Sequence, residues 1–186
     1  MTLPNPHEGF PILSLLIFAP LAAAALAAVL PGERLVRIWA LISTLGVAVV
    51  SLLLLGRFDT ASGDFQLVEH AAWIPRFGIS YTLGADGISL LLVLLTTLVM
   101  PLCVLCSWRY IATRVKESMV CLLIMKAAMV GGFTALDFVL FFVFWEAMLI
   151  PMSLLIGVWG GARRVYAAVK FFVYTMAGSI GLLLLF

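Results

Sequence analysis

The 186-residue chain is 65% hydrophobic and only 11% charged, with a net charge of +2 and a mean hydropathy of +1.21. A soluble domain of this size clothes itself with about a quarter of its residues charged, so a soluble fold is excluded. The small net charge and the absence of a basic run give no reason to expect a nucleic-acid partner.

The apolar residues fall into six blocks, at Ile12–Leu30, Leu35–Leu55, Gly87–Cys106, Ser118–Thr134, Leu136–Trp159 and Val165–Phe186. Runs of about 20 residues match what a helix needs to cross ~30 Å of hydrocarbon at 1.5 Å per residue. Each must be helical, because backbone groups in lipid have to pair within their own segment. The expected fold is therefore all-α, with about six membrane spans. Met1–Pro11 carries His7 and Glu8, and no Lys or Arg precedes Arg34. The first block thus lacks the positive flank of a cleaved signal peptide and is expected to be retained. The fourth block is short and almost touches the fifth, which predicts an antiparallel helical pair. The last block runs to Phe186 without a polar tail, which suggests a truncated chain.

The one long connection is Gly56–Asp86. Ile79, Tyr81 and Leu83 alternate with Ser80 and Thr82, a period-2 pattern that predicts a strand. Phe65, Leu67 and Glu69 are its expected partner, in a hairpin lying on the membrane surface. Asp86 is placed to cap the third helix and Asp137 the fifth. The chain divides into residues 1–86, a helix pair plus hairpin, and residues 87–186, the start of a helical repeat.

Loop charges orient the spans. With the N-terminus outside, Arg34, Arg37, Arg109, Arg114, Lys116, Arg163 and Arg164 lie inside, and only Arg57 and Arg76 outside. That distribution follows the positive-inside rule.

Three charged residues lie inside the spans away from their ends. Glu146 sits near the middle of the fifth block, between Phe144–Trp145 and Met148–Ile150. A charge at such a depth costs at least ~2.5–3.5 kcal/mol, and residues of this kind mark ion or proton paths. The alternative is a neutral carboxyl that packs helices together. Pro151 cannot donate to the carbonyl of Ala147, which leaves an acceptor free beside the carboxylate. Lys170 lies in the sixth block between Tyr166 and Tyr174, on a face that Ala177 and Gly181 continue with small residues. Its ammonium either snorkels to the interface or faces the bundle. Lys126 lies deep in the fourth block and could face Glu146 across the helical pair. Cys103 and Cys106 form a C-x-x-C in an apolar helix without a second ligand pair, and Cys121 stands apart, so a redox or zinc site is not expected. His7 and His70 have no metal-ligand spacing.

The run L-D-F-V-L-F-F-V-F-W-E-A-M-L-I-P-M at Leu136–Met152 resembles the fifth-helix signature of the antiporter-like membrane subunits of respiratory complex I. Its continuation, V-W-G-G-A-R-R-V-Y-A-A-V-K-F-F-V-Y-T at Val158–Thr175, resembles the M type (chain 4) among them. W-I-P-R-F-G-I-S-Y-T-L-G-A-D-G-I-S at Trp73–Ser89 is similar to the hairpin leading into that type's third helix. The resemblance implies a subunit of about fourteen helices in two inverted repeats, with an outward N-terminus, in a bacterial inner membrane. It implies that Glu146 is a proton-translocating carboxylate paired with a seventh-helix lysine, and that Lys170 is the sixth-helix lysine of the same path. Lys126 matches none of the family's essential charges. The implied activity is proton translocation coupled to quinone reduction, with no catalytic centre in this chain and incomplete without the missing helices. NADH, FMN, iron–sulfur clusters and quinone would belong to partner subunits, and the lipid bilayer and neighbouring antiporter-like subunits would be its contacts. The alternatives are a membrane subunit of a multisubunit Na⁺/H⁺ antiporter or membrane-bound hydrogenase, and a non-transporting scaffold.

Overall fold

The computed structural model describes residues 11–59 and 64–185, so His7 and Glu8 lie outside the described residues. Its helices are α1 (Ile12–Val29), α2 (Glu33–Leu55), α3 (Gly87–Tyr110), α4 (Val115–Thr134), α5 (Phe138–Trp159) and α6 (Arg164–Leu185). Two strands, β1 (Gln66–Ile74) and β2 (Ile79–Ala85), lie between α2 and α3. The shortest helix has 18 residues and the longest 24, or about 27–36 Å, enough to cross a bilayer. The chain is a multi-pass, all-α membrane protein with one small antiparallel sheet.

Helix ends depart from the apolar blocks where polar residues start or stop a helix. α4 begins at Val115, three residues ahead of its apolar run, so it is a full span of 20 residues and not the short one expected. Its first turn contains Glu117, which favours the positive helix start and pairs with Arg114 at 2.6 Å. α3 runs on past Cys106 to Tyr110, with Arg109 in its last turn, where a cation suits the helix dipole. α5 begins at Phe138, two residues later than its apolar run, because Asp137 caps it.

α4 is the hub, packing against α1, α2, α3 and α5. Ala23, Ala24 and Ala27 of α1 and Ala40 of α2 are buried together with Met119 and Leu123 of α4. Small residues allow that close approach without a hydrophobic drive between helices in lipid. Between α2 and α3 the hydroxyls of Ser51 and Thr97 meet at 2.6 Å, both buried. α6 packs on α5 at the edge of the bundle.

The hairpin is longer than its alternation suggested. β1 extends through His70–Ile74, and Phe65 precedes it, so the partner strand is not centred on Phe65–Glu69. Register pairs include Glu69 with Leu83, Ala71 with Tyr81 and Ile74 with Ile79. The register shifts between Gln66 and Glu69, where Leu67 takes a φ of 55°. Such a bulge breaks the strict alternation that sequence reading relies on. A 3₁₀ turn at Pro75–Phe77 closes the hairpin, and Gly78 at φ 68° supplies the left-handed residue the turn requires.

The hairpin seats over the ends of two elements. Glu69 accepts from the backbone N–H of Leu13 (2.7 Å) and Ser14 (3.0 Å) and from the Ser14 hydroxyl, satisfying the open donors at the start of α1. Tyr81 stands beside Ser14, its hydroxyl 3.0 Å away; burial, reinforced by the Glu69 carboxylate, pushes its phenol above the usual range, although the Ser14 hydrogen bond pulls the other way. On the other side Leu136 N–H donates to the Thr82 carbonyl at 2.9 Å, joining β2 to the α4–α5 turn. At the opposite end of the bundle, Arg37 donates to the carbonyl of Ile111 at 2.8 Å and Trp159 to that of Thr113 at 2.9 Å. The arginine-rich turns therefore share one end and the hairpin holds the other.

Candidate functional site

Two aspartates fix how the helices meet the hairpin end. Asp86 Oδ1 accepts from Ser89 N–H at 2.7 Å, and that hydrogen bond holds its carboxyl below the usual carboxylate range. Asp137 Oδ1 accepts from Val139 and Leu140 N–H at 2.9 and 3.2 Å, and Oδ2 from Ser80 N–H at 3.2 Å. Burial pushes the Asp137 carboxyl up, but the backbone donors of Ser80, Leu140 and Val139 outweigh it and hold it below the usual range. Both caps stand where the sequence placed them.

With its start pinned, α5 turns one face to α4 and another to α6. Leu140, Leu149 and Pro151 are buried, and the Phe144 ring covers Gly131 of α4 so closely that an added Cβ would lie 2.5 Å from it. Glu146 is half-buried near the middle of α5 and points to α6. There the hydroxyl of Ser179, only 5% exposed, donates to Glu146 Oε1 at 2.5 Å. The two helices approach closely further along, where a Cβ on Gly157 would lie 3.3 Å from that of Ala168.

The other two candidates go elsewhere. Lys126 is fully buried and does not face Glu146; its ammonium donates to the Thr44 carbonyl of α2 at 3.0 Å. Among the described residues no carboxylate lies within ion-pair distance of it. Lys170 is exposed on α6, its ammonium 5.8 Å from the centre of the Tyr166 ring. It is nine residues before Ser179, about 13.5 Å along the helix, and so is not the partner of Glu146.

Of the two readings of the face Tyr166–Lys170–Tyr174–Ala177–Gly181, the described residues leave it open, with Tyr174 81% exposed. The face that meets α5 carries Ala168 and Ser179, the buried residues of α6. Ser179 went unnoticed in the sequence. The available signal was spacing: Ala168, Phe172, Thr175 and Ser179 follow one helical face at intervals of three and four. Cys103, Cys106 and Cys121 are free thiols, half-buried, exposed and buried in turn.

Residues 135–186 match the family model described as NADH:quinone oxidoreductase/Mrp antiporter, transmembrane. The chain is 50% identical to NADH-quinone oxidoreductase subunit M of Rhodobacter capsulatus, over 91% of its own length and 34% of that protein. It is 41% identical to NADH-ubiquinone oxidoreductase chain 4 of Arabidopsis thaliana, over 92% of its length and 35% of that protein. A chain of respiratory complex I from Thermus thermophilus with bound NADH shares its fold at a TM-score of 0.77 and 29% identity, covering 92% of this chain and 34% of that one. This chain thus spans about a third of the length of the curated relatives it matches.

Proposed function

We propose that this chain belongs with the subunit M type of antiporter-like membrane proteins it resembles and takes part in proton translocation coupled to quinone reduction, with Glu146 as a site that takes up and releases the proton. The observation that carries this is the half-buried carboxylate in the middle of α5, met by the hydroxyl of Ser179 from α6. A hydroxyl can either donate or accept, so it can satisfy the carboxyl group in both protonation states. Its motif is the part of the chain that the family model matches.

Lys170, one helix over and on the open face of α6, is the second member of this path, acting through the field between its charge and Glu146. Lys126 is the third candidate. Sealed between α4 and α2, it can take part only when water reaches it. The redox chemistry, with NADH, FMN, iron–sulfur clusters and quinone, is assigned to partner subunits, and none of it to residues of this chain. The proposed partners are neighbouring antiporter-like membrane subunits, and the proposed setting is a bacterial inner membrane. An extracytoplasmic N-terminus is supported by the clustering of Arg34, Arg37, Arg109, Arg114, Lys116, Arg163 and Arg164 at the end away from the hairpin.

The test is Glu146→Gln in the full-length gene, with NADH-driven proton pumping and quinone reduction measured in membrane vesicles. Loss of pumping with the complex assembled supports the proposal, and pumping at the wild-type level sinks it. A Na⁺/H⁺ antiporter subunit is the second reading, because the matched family model covers both classes. Sodium-driven pH change in vesicles without NADH would favour it.

A further inference from the structure

Ser179 has one hydroxyl hydrogen and three acceptors within reach. Glu146 Oε1 lies 2.5 Å away across the helix pair, and the carbonyls of Thr175 and Met176 lie 3.0 and 3.2 Å away on its own helix. We propose that Ser179 is a two-state positioning partner of Glu146, its hydroxyl donating to the carboxylate when Glu146 is ionised and accepting from the carboxyl when Glu146 is protonated. The inference rests on the reading of Glu146 as a proton site and adds how α6 serves that site.

The hydrogen-bond bookkeeping closes in both states. With Glu146 ionised, the Ser179 O–H points to Oε1, 2.5 Å away. When a proton arrives on the carboxylate, the new carboxyl O–H donates to Ser179 Oγ, and the serine hydrogen swings to the Thr175 or Met176 carbonyl. Glu146 gains one proton on uptake and loses it on release, Ser179 keeps its own hydrogen throughout, no heavy-atom bond changes, and only a hydroxyl torsion turns. Back-bonding of serine to a carbonyl three or four residues earlier is a standard local arrangement in helices. A residue with hydrogen-bonding capacity on one side alone, such as lysine, cannot do both.

The surroundings leave this task to Ser179. Ser179 is buried at 5% exposure and meets the Glu146 carboxylate directly. α4, which packs on the other face of α5, turns its deep cation, Lys126, to Thr44, and its other lysine, Lys116, lies in its first turn at the far end from the hairpin. On α6 the nearest cation is Lys170, about 13.5 Å along the helix. On α5 the nearest other carboxylate is Asp137, held by Val139, Leu140 and Ser80 at the hairpin end. No charged group among the described residues competes for the Glu146–Ser179 contact.

The experiment uses the full-length subunit in its assembled complex, comparing wild type, Ser179→Ala, Ser179→Thr and Glu146→Gln. Two readouts are needed: pumping per quinone reduced, and the infrared carbonyl band of a protonated carboxyl, assigned to Glu146 by its disappearance in Glu146→Gln. Ser179→Ala is expected to move that band to higher frequency and to cut pumping about tenfold, as the loss of a hydrogen bond to a charged group implies. Ser179→Thr, which keeps the hydroxyl, is expected to retain the band and the pumping. The proposal is overturned by a Ser179→Ala complex with unchanged band and pumping while Glu146→Gln abolishes pumping. It is also overturned if alanine and threonine impair an assembled complex equally, since shape and not the hydroxyl would then matter. Wild-type pumping in Glu146→Gln would remove the reading of Glu146 itself, and the two-state serine with it.

Discussion

The four helices α1–α4 and the pair α5–α6 handle charge in opposite ways. In the apolar stretch of α4 61% of residues are buried, against 6% in α6. Lys126 sits in the packed half at 0% exposure, its ammonium on a backbone carbonyl. Glu146 sits in the open half, partly exposed and met by a hydroxyl. The Lys126 ammonium meets a main-chain carbonyl, which only accepts, whereas the Glu146 carboxylate meets a hydroxyl, which can donate or accept. Depth in the sequence block is the same for both residues, so depth alone does not mark a functional charge. What distinguishes them is which half of the bundle each joins, and what kind of partner it finds there.

The comparison can be broken first through packing. Leu123 of α4 is fully buried, while Leu154 of α5 is 48% exposed. Leu123→Ala should cost ~2–5 kcal/mol of stability, largely through the cavity it leaves. Leu154→Ala should stay within ~0.5 kcal/mol. Thermal unfolding in detergent measures both, and similar losses would mean that the two halves are not differently packed.

Replacing the sealed charge sharpens the contrast. Lys126→Met keeps the length and apolar stem of the side chain, and the Thr44 carbonyl lies within α2, where the helix ladder still serves it. Stability should be unchanged or raised by up to ~3 kcal/mol, as when a buried polar group gives way to a well-packed apolar one. A clear drop in melting temperature would show that the bond to Thr44 holds α4 against α2 more strongly than its desolvation opposes it.

The smallest effect concerns the start of α5. Asp137→Ala removes an N-cap and should cost ~1 kcal/mol at neutral pH. Hydrogen bonds hold the Asp137 carboxyl below its ordinary value, so its stabilisation is fully present above the usual carboxylate range. It is lost as the pH falls below ~4 and through the folded-state value. The melting-temperature gap between wild type and Asp137→Ala should therefore narrow on acidification. A gap that is constant from neutral pH to pH ~3 would contradict the link between ionisation and capping.

Much of this was legible in the chain. Six spans follow from apolar runs of a single characteristic length, and Asp86 and Asp137 announced their caps by standing just before such runs. That the arginine-rich turns share one end of the bundle followed from the count of spans between them. Contacts between helices were harder to read. α5 is apolar on nearly all sides, so no stripe marks which face packs, and the Tyr–Lys–Tyr face of α6 is not the one that meets α5. The face that does pack is chosen by the Gly157–Ala168 approach, a small-residue match between helices that only the fold reveals. The partner of Lys126 is a main-chain carbonyl, which every residue possesses and no sequence singles out. The β1 register was lost to a bulge at Leu67.

The most direct test of the central claim compares the two span charges in one assay, as protons translocated per NADH oxidised by assembled complexes carrying Glu146→Gln or Lys126→Met. The account predicts that Glu146→Gln abolishes translocation and that Lys126→Met preserves it. Translocation that survives Glu146→Gln and disappears with Lys126→Met would place the proton path in the packed half of the bundle and contradict the account.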